Sequence, residues 1–256
     1  MKHAYIDEYS GIDSYIRRLE PRIKVIAFFA IIFFVMFTKP TAFITFELYA
    51  ALMVILILLS KISLWYIFKR SLIIIPFVLM VAVVIPFFKT GEIAGGYSFG
   101  TLKLTVTYDG LMVFWNVFVK AYLCILSMIL LISSTRFSDL LKAFEKLKCP
   151  KLFIMVISFM YRYLFVITDE LMQMKQAKEA RSVGGTKWFN IRVLANMLGV
   201  LFIRSYERGE NVYLAMCSRG FDGRVKTITK FQLNTQDFAF LITVICTLIV
   251  IFAQQK

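Results

Sequence analysis

The sequence predicts an all-α, multi-pass membrane protein, with about five transmembrane helices and a set of long cytoplasmic helices. Three observations carry this. The 256-residue chain is 59% hydrophobic and only 18% charged, against roughly 45–50% and about 25% in a soluble domain. Its apolar residues gather in runs near the ~20 residues that a bilayer crossing takes. One long segment, 133–236, is instead polar and basic, with helical spacing of its apolar positions.

Taken in order, the first 22 residues are polar and argue against a cleavable secretory leader. Tyr5, Ile6, Tyr9, Ile12, Tyr15, Ile16 and Leu19 recur near helical spacing, as in an interfacial lead-in that Pro21 breaks. The expected spans are Ile23–Phe37, Ala42–Leu59, Leu72–Phe88, Leu111–Ile132 and Phe238–Phe252. The first and last are short and draw on flanking residues at the interface. Between the third and fourth lies a glycine-rich loop, Lys89–Gly110. It alternates through Leu102–Tyr108 like a short strand and closes on the turn pair Asp109-Gly110. The expected organisation is a four-span membrane domain over 1–132, a cytoplasmic helical domain over 133–236 and a closing transmembrane helix over 237–256.

Charge sets the expected orientation. With a cytoplasmic N-terminus, the inward segments 1–22, 60–71 and 133–236 hold 24 Lys and Arg. The outward segments 38–41 and 89–110 hold 3. The tail then lies outside. Segment 133–236 carries 17 basic and 8 acidic residues, so much of the +14 net charge resides there. Such a block suits the anionic surface of a lipid bilayer or an acidic protein partner, and needs no nucleic acid.

The polar block divides into three helical pieces. The first runs from about Ser138 to Lys148, with Phe137, Leu140, Leu141, Phe144 and Leu147 on one face, Ser138 as N-cap and Pro150 as terminator. The second starts near Lys151 and runs to Ser182. Its first half, Leu152–Thr168, is apolar enough to span, yet carries Arg162 near its centre, which costs roughly 2.5–3.5 kcal/mol on insertion scales. It also continues without a breaker into polar Asp169-Glu170, which favours a helix at the membrane boundary over a sixth span. Gly184-Gly185 ends it, and a third helix runs from about Thr186 to Arg219. In that third piece Arg204, Glu207 and Arg208 sit at spacings that ordinary pairing along one helix surface explains.

Two arginine tripeptides stand at the ends of these long helices: Ala180-Arg181-Ser182 and Ser218-Arg219-Gly220. Gly220 suits the left-handed position just past a helix. A cation there is favoured by the helix dipole by roughly 0.3–1 kcal/mol whatever the function. The functional alternative has both guanidinium groups entering acidic pockets on partner proteins, where arginine holds its charge and grips a carboxylate with two hydrogen bonds. Two copies on neighbouring helix ends would address a two-lobed partner.

Other chemistries find little material. The four cysteines, Cys124, Cys149, Cys217 and Cys246, form no CxxC pair, and His3 is the only histidine, so neither a disulfide framework nor a histidine metal cluster is supported. A self-sufficient transporter or channel would rest on Glu47 and Lys120, ionisable residues within expected spans. No inverted repeat accompanies them. A membrane enzyme lacks an Asp/His cluster.

The stretch Phe159–Val166, then Asp169-Glu170 and Ala180-Arg181-Ser182, resembles the transmembrane T component of energy-coupling-factor ABC transporters (EcfT/CbiQ-like). So do Arg204–Glu210 and Ala215–Gly223. Leu19–Lys24 and Phe137–Leu141 match the family's pattern in order, and the CbiQ branch, serving cobalt uptake for cobalamin synthesis, is most similar, with nickel relatives beside it. Ser182 departs from the glycine that many relatives carry. The resemblance implies an L-shaped helical scaffold in the cell membrane, with no enzymatic activity and no bound cofactor. Its expected partners are a pair of ABC ATPase subunits, which carry the ATP and Mg, and a separate substrate-binding membrane subunit. It implies that Arg181 and Arg219 dock the ATPases, with Ala180, Ser182, Ser218 and Gly220 shaping the tips. The chain has no GxxxxGK[ST] loop of its own.

Overall fold

The computed structural model describes residues 14–40, 42–88, 93–99, 102–181, 187–223 and 234–254. Helices dominate: α1 (Tyr15–Arg18), α2 (Pro21–Phe37), α3 (Phe43–Ser60), α4 (Leu64–Phe88), α5 (Tyr108–Ser134), α6 (Phe137–Lys146), α7 (Lys151–Arg181), α8 (Lys187–Ser218) and α9 (Thr235–Ala253). An antiparallel hairpin, β1 (Ile93–Phe99) with β2 (Leu102–Thr107), pairs Tyr97 with Leu104 and links α4 to α5.

The expected spans coincide with α2, α3, α4, α5 and α9, each extended at one or both ends. Pro21 occupies the first turn of α2, where its missing N–H costs nothing. α4 starts eight residues before the expected Leu72, taking in the basic pair Lys69-Arg70, and continues through Pro76 and Pro86. Among the described residues, five helices are long and apolar enough to cross a membrane: α3, α4 up to Pro86, α5, α7 and α9. α2, with 17 residues, lies at the short end of the crossing range. The described residues of 14–143 and 234–254 form one compact unit, and those of 144–223 another.

In the first unit α5 is the hub, packing against α2, α3 and α4, while α9 lies against α2 and α3. Phe28, Ile31 and Val35 of α2, Tyr49 and Met53 of α3, Leu130 and Leu131 of α5 and Leu248 of α9 are each at most 1% exposed. Inside a bilayer this burial gains little from leaving water; close packing and small residues hold such helices together. Gly110 shows this most directly. A Cβ there would lie 2.7 Å from Pro86 Cα, so its bare backbone lets α4 and α5 approach. Gly110→Val is therefore expected to lower the melting temperature of the detergent-solubilised chain by several degrees. Gly209→Ala, with nothing within 4 Å, should leave it unchanged or slightly raise it through better helix propensity. Differential scanning fluorimetry distinguishes the two.

Several local expectations are corrected. Asp109-Gly110 is not a turn: it forms the first turn of α5, with Asp109 well placed against the helix dipole. The glycine-rich stretch before it is paired as β1, which its low strand propensity concealed. Ser138 is not the N-cap of α6. Arg136 holds that position, its carbonyl accepting from Asp139 and Leu140 N–H groups at 3.0 Å each. The helix also ends earlier than expected, because Lys148 adopts a left-handed conformation (φ 66°) and Cys149 N–H closes back on Phe144 O. The lead-in is not wholly interfacial: Ile16 and Leu19 are buried, 0% and 4% exposed, with α1 against α3. Its residues Tyr5 to Ile12 lie outside the described ones.

Candidate functional site

The second unit is built on α7 and α8, of 31 and 32 residues. No proline or glycine interrupts 151–181, and Pro150 accepts from Phe153 and Ile154 as α7 begins. The two helices run antiparallel. One cleft of about 410 Å³ is lined by Met174, Lys178 and Arg181 of α7 with Phe189, Asn190 and Met197 of α8. A second, of about 380 Å³, is lined by Val156, Met160 and Ile167 with Ser205, Val212 and Met216. The helices thus touch in the middle and open on both sides.

Glu170 makes that middle contact. Its Oε1 accepts from Arg204 Nη1 at 3.0 Å, and Arg208 Nη2 lies 3.7 Å from Oε2. Arg204 is thus paired across the helix–helix crossing, where the sequence pointed to Glu207 on its own helix. One carboxylate against two arginines fixes the lateral register of α7 on α8. Its direct energetic share is modest, since both arginines are about half exposed.

The tips stand apart from this clamp. Ala180 and Arg181 are the last residues of α7, and Arg181 is exposed. Ser182 and Gly184-Gly185 lie outside the described residues. At the end of α8, Gly220 adopts φ 76°. Gly220 N–H donates to Cys217 O at 3.0 Å and Phe221 N–H to Met216 O at 3.1 Å, which together make a Schellman cap. Ser218 Oγ donates to Ala215 O at 3.0 Å. No atom lies within 4 Å of a Cβ at Gly220, so glycine is required by its backbone conformation and not by crowding. The cap holds Arg219 at the outermost turn, exposed. Among the described residues neither Arg181 nor Arg219 has an acidic partner.

The tips are not on neighbouring helix ends. Arg181 lies beside Asn190 near the start of α8, whereas Arg219 follows that helix's far end. At 1.5 Å per residue the two arginines are roughly 40 Å apart. The antiparallel pairing, invisible in the spacing of the motifs, sends them in opposite directions.

The intramembrane pair divides as well. Lys120 Nζ donates to Met36 O at 3.0 Å and Thr38 O at 2.6 Å. It thereby caps the carbonyl end of α2, where a cation is favoured. Glu47, fifth residue of α3, is exposed and does not meet it. Lys120 therefore has a structural task.

One polar cluster escaped the sequence reading. Asp237, 4% exposed, accepts from Glu20 N–H at 2.9 Å through Oδ1 and from Asn234 N–H at 2.9 Å through Oδ2. Arg22 Nε lies 3.0 Å from Glu20 Oε1, and the buried Lys24 Nζ donates to Ser134 O at 3.4 Å. The ends of α2, α5 and α9 meet at this joint. The available signal was Asn234-x-x-Asp237, which forms a capping box opening α9.

Burial raises the Glu20 carboxyl above its usual range, the Arg22 guanidinium opposes that rise, and the nearby Asp237 adds to it. The folded chain therefore holds this proton to higher pH than the unfolded chain does. Its contribution to stability is full below the ordinary carboxylate range and declines as pH rises through the raised value. Glu20→Gln is expected to flatten that decline, as read by melting temperature against pH in detergent.

Comparison with known proteins places this architecture. The family model described as CbiQ, cobalt transport protein, matches residues 13–230. The chain is 27% identical to an uncharacterised protein of Methanocaldococcus jannaschii, covering 98% of this chain and 87% of that one. It is 28% identical to the energy-coupling factor transporter transmembrane protein EcfT of Staphylococcus aureus, covering 90% and 88%. Over 108 residues it is 32% identical to the nickel permease LarQ of Lactiplantibacillus plantarum, covering 42% and 39%. The chain belongs to the CbiQ cobalt transport protein family and, with its EcfT relatives, to the transmembrane components of energy-coupling-factor transporters.

Proposed function

We propose that the chain is the coupling subunit of an importer for a transition-metal ion, cobalt in the first instance and nickel as the alternative. A pair of ABC ATPase subunits binds and hydrolyses ATP with Mg, a separate membrane subunit holds the ion, and this chain transmits motion between them. Arg181 and Arg219 each enter an acidic groove on one ATPase subunit. Ala180, Ser182, Ser218 and Gly220 shape the two tips. The N-terminus and segment 133–236 lie on the cytoplasmic side, as the lysine and arginine distribution favours, and the apolar half of α7 runs along the membrane boundary.

The observation that carries this reading is the placement of two exposed arginines at opposite ends of one helix pair clamped at its middle by Glu170. Separation of roughly 40 Å suits two subunits better than two lobes of one pocket. When the ATPases close, each pulls one end, and helices pinned at a crossing turn as levers.

Reconstitution tests the reading. Liposomes holding the chain with ATPase and ion-binding subunits are expected to take up labelled cobalt or nickel only with ATP. Uptake by the chain alone, driven by an ion gradient, would overturn it.

A further inference from the structure

Between α3, the start of α4 and the middle of α5 runs an apolar groove of about 660 Å³. Its floor is buried, with Met53 1% and Leu123 3% exposed, while Trp65 and Trp115 on its rim are 74% and 51% exposed. The groove follows α5 from Trp115 to Leu126, about 16 Å at 1.5 Å per residue. That is close to one leaflet of a ~30 Å hydrocarbon core. An apolar groove at this depth is filled by hydrocarbon in preference to water.

The end formed by the α3–α4 connection is basic. Lys61 sits in the left-handed position closing α3, φ 52°. Lys69 stands one turn beyond Trp65. Arg70 hydrogen-bonds the Tyr66 hydroxyl and lies 5.7 Å over its ring centroid. Segment 60–71 contains no acidic residue, and among the described residues none of these three cations forms an ion pair. Long basic side chains at such a depth reach back toward the headgroups, where the leaflet's phosphates are their available counter-charge.

We propose that the groove binds an acyl chain of an anionic phospholipid whose phosphate is held by Lys61, Lys69 and Arg70. The apolar walls supply a place for the chain, and the cations supply the preference for negative charge. This is independent of how the ATPases dock.

The chain carries its own probes, since Trp65 and Trp115 line the groove and the only other tryptophan, Trp188, lies in α8. W188F protein is reconstituted in phosphatidylcholine vesicles containing a small fraction of lipid brominated on its acyl chains. Brominated phosphatidylglycerol is expected to quench tryptophan fluorescence with at least about fivefold greater efficacy than brominated phosphatidylcholine, from about 1 kcal/mol per engaged cation. K61Q/K69Q/R70Q should bring the two lipids level while quenching by brominated phosphatidylcholine persists, which shows the groove still formed. K69Q alone should lower the preference part-way, and raised salt should weaken it. Equal quenching of the unsubstituted groove by both lipids, or quenching by neither, would overturn the proposal.

Discussion

Reversing both tips, R181E with R219E, is expected to release the ATPase subunits and abolish ATP-dependent uptake while the membrane helices stay folded. On the docking proposed above, each reversal would turn an arginine–carboxylate contact into like-charge repulsion. Losing one partner of such a buried pair costs roughly 2–5 kcal/mol, about 30-fold or more in affinity. Because the tips stand roughly 40 Å apart by helix rise, the single variants should weaken binding one end at a time, and the double variant should act nearly additively. The check is copurification with the ATPases beside circular dichroism. Retained helicity with lost copurification is the expected outcome. R181K and R219K should be intermediate, since lysine keeps the charge but not the two-pronged grip.

The second large effect belongs to stability. Asp237→Ala should strongly destabilise the membrane unit, because it strips acceptors from two backbone N–H groups, Glu20 and Asn234. Orphaning the buried Glu20 donor costs roughly 1–3 kcal/mol, and the part-buried Asn234 donor adds less. The melting temperature in detergent should fall well below that of Asp237→Asn, which keeps the carbonyl oxygen. It should fall further than for any single tip variant, because the tips are exposed and the joint is buried. Loss of the Asp237 charge also removes one influence that raises Glu20, so the pH dependence of the asparagine variant should shift toward lower pH.

The contrast between these two sites explains what the sequence disclosed. Span positions were legible where the apolar runs are long, as in Ala42–Leu59 and Phe238–Phe252, because a bilayer demands such runs. The ends of α7 and α8 were legible too, from unbroken helical spacing and from Gly220, which had a conformational task independent of any partner. What stayed hidden was pairing. Nothing in the spacing of Arg204, Glu207 and Arg208 says that Arg204 turns outward to Glu170, 34 residues earlier on another helix. Likewise Lys120 looked like an intramembrane charge seeking a function until α2 ended against it. Asp237 gives no local sign of its role, because its partner Glu20 is 217 residues away. The strand β1 was concealed by its glycines, and the opposite placement of the two tips by the antiparallel course of their helices. Local chemistry was thus readable wherever a residue serves its own helix. Contacts closing between distant helices needed the fold.

Whether Arg181 and Arg219 touch separate ATPase subunits is the point on which the coupling account stands. The direct measurement is disulfide crosslinking. Cys124, Cys149, Cys217 and Cys246, all free thiols, are first replaced by serine. Cysteine is then placed singly at the adjacent Ala180 or Ser218, which leaves both arginines in place, opposite cysteines in the acidic groove of the ATPase. An efficient crosslink is expected from each position, with a product holding two ATPase subunits when both positions are substituted and a yield that changes on nucleotide binding. Crosslinks from neither position in a complex that still imports its ion in an ATP-dependent manner would contradict it.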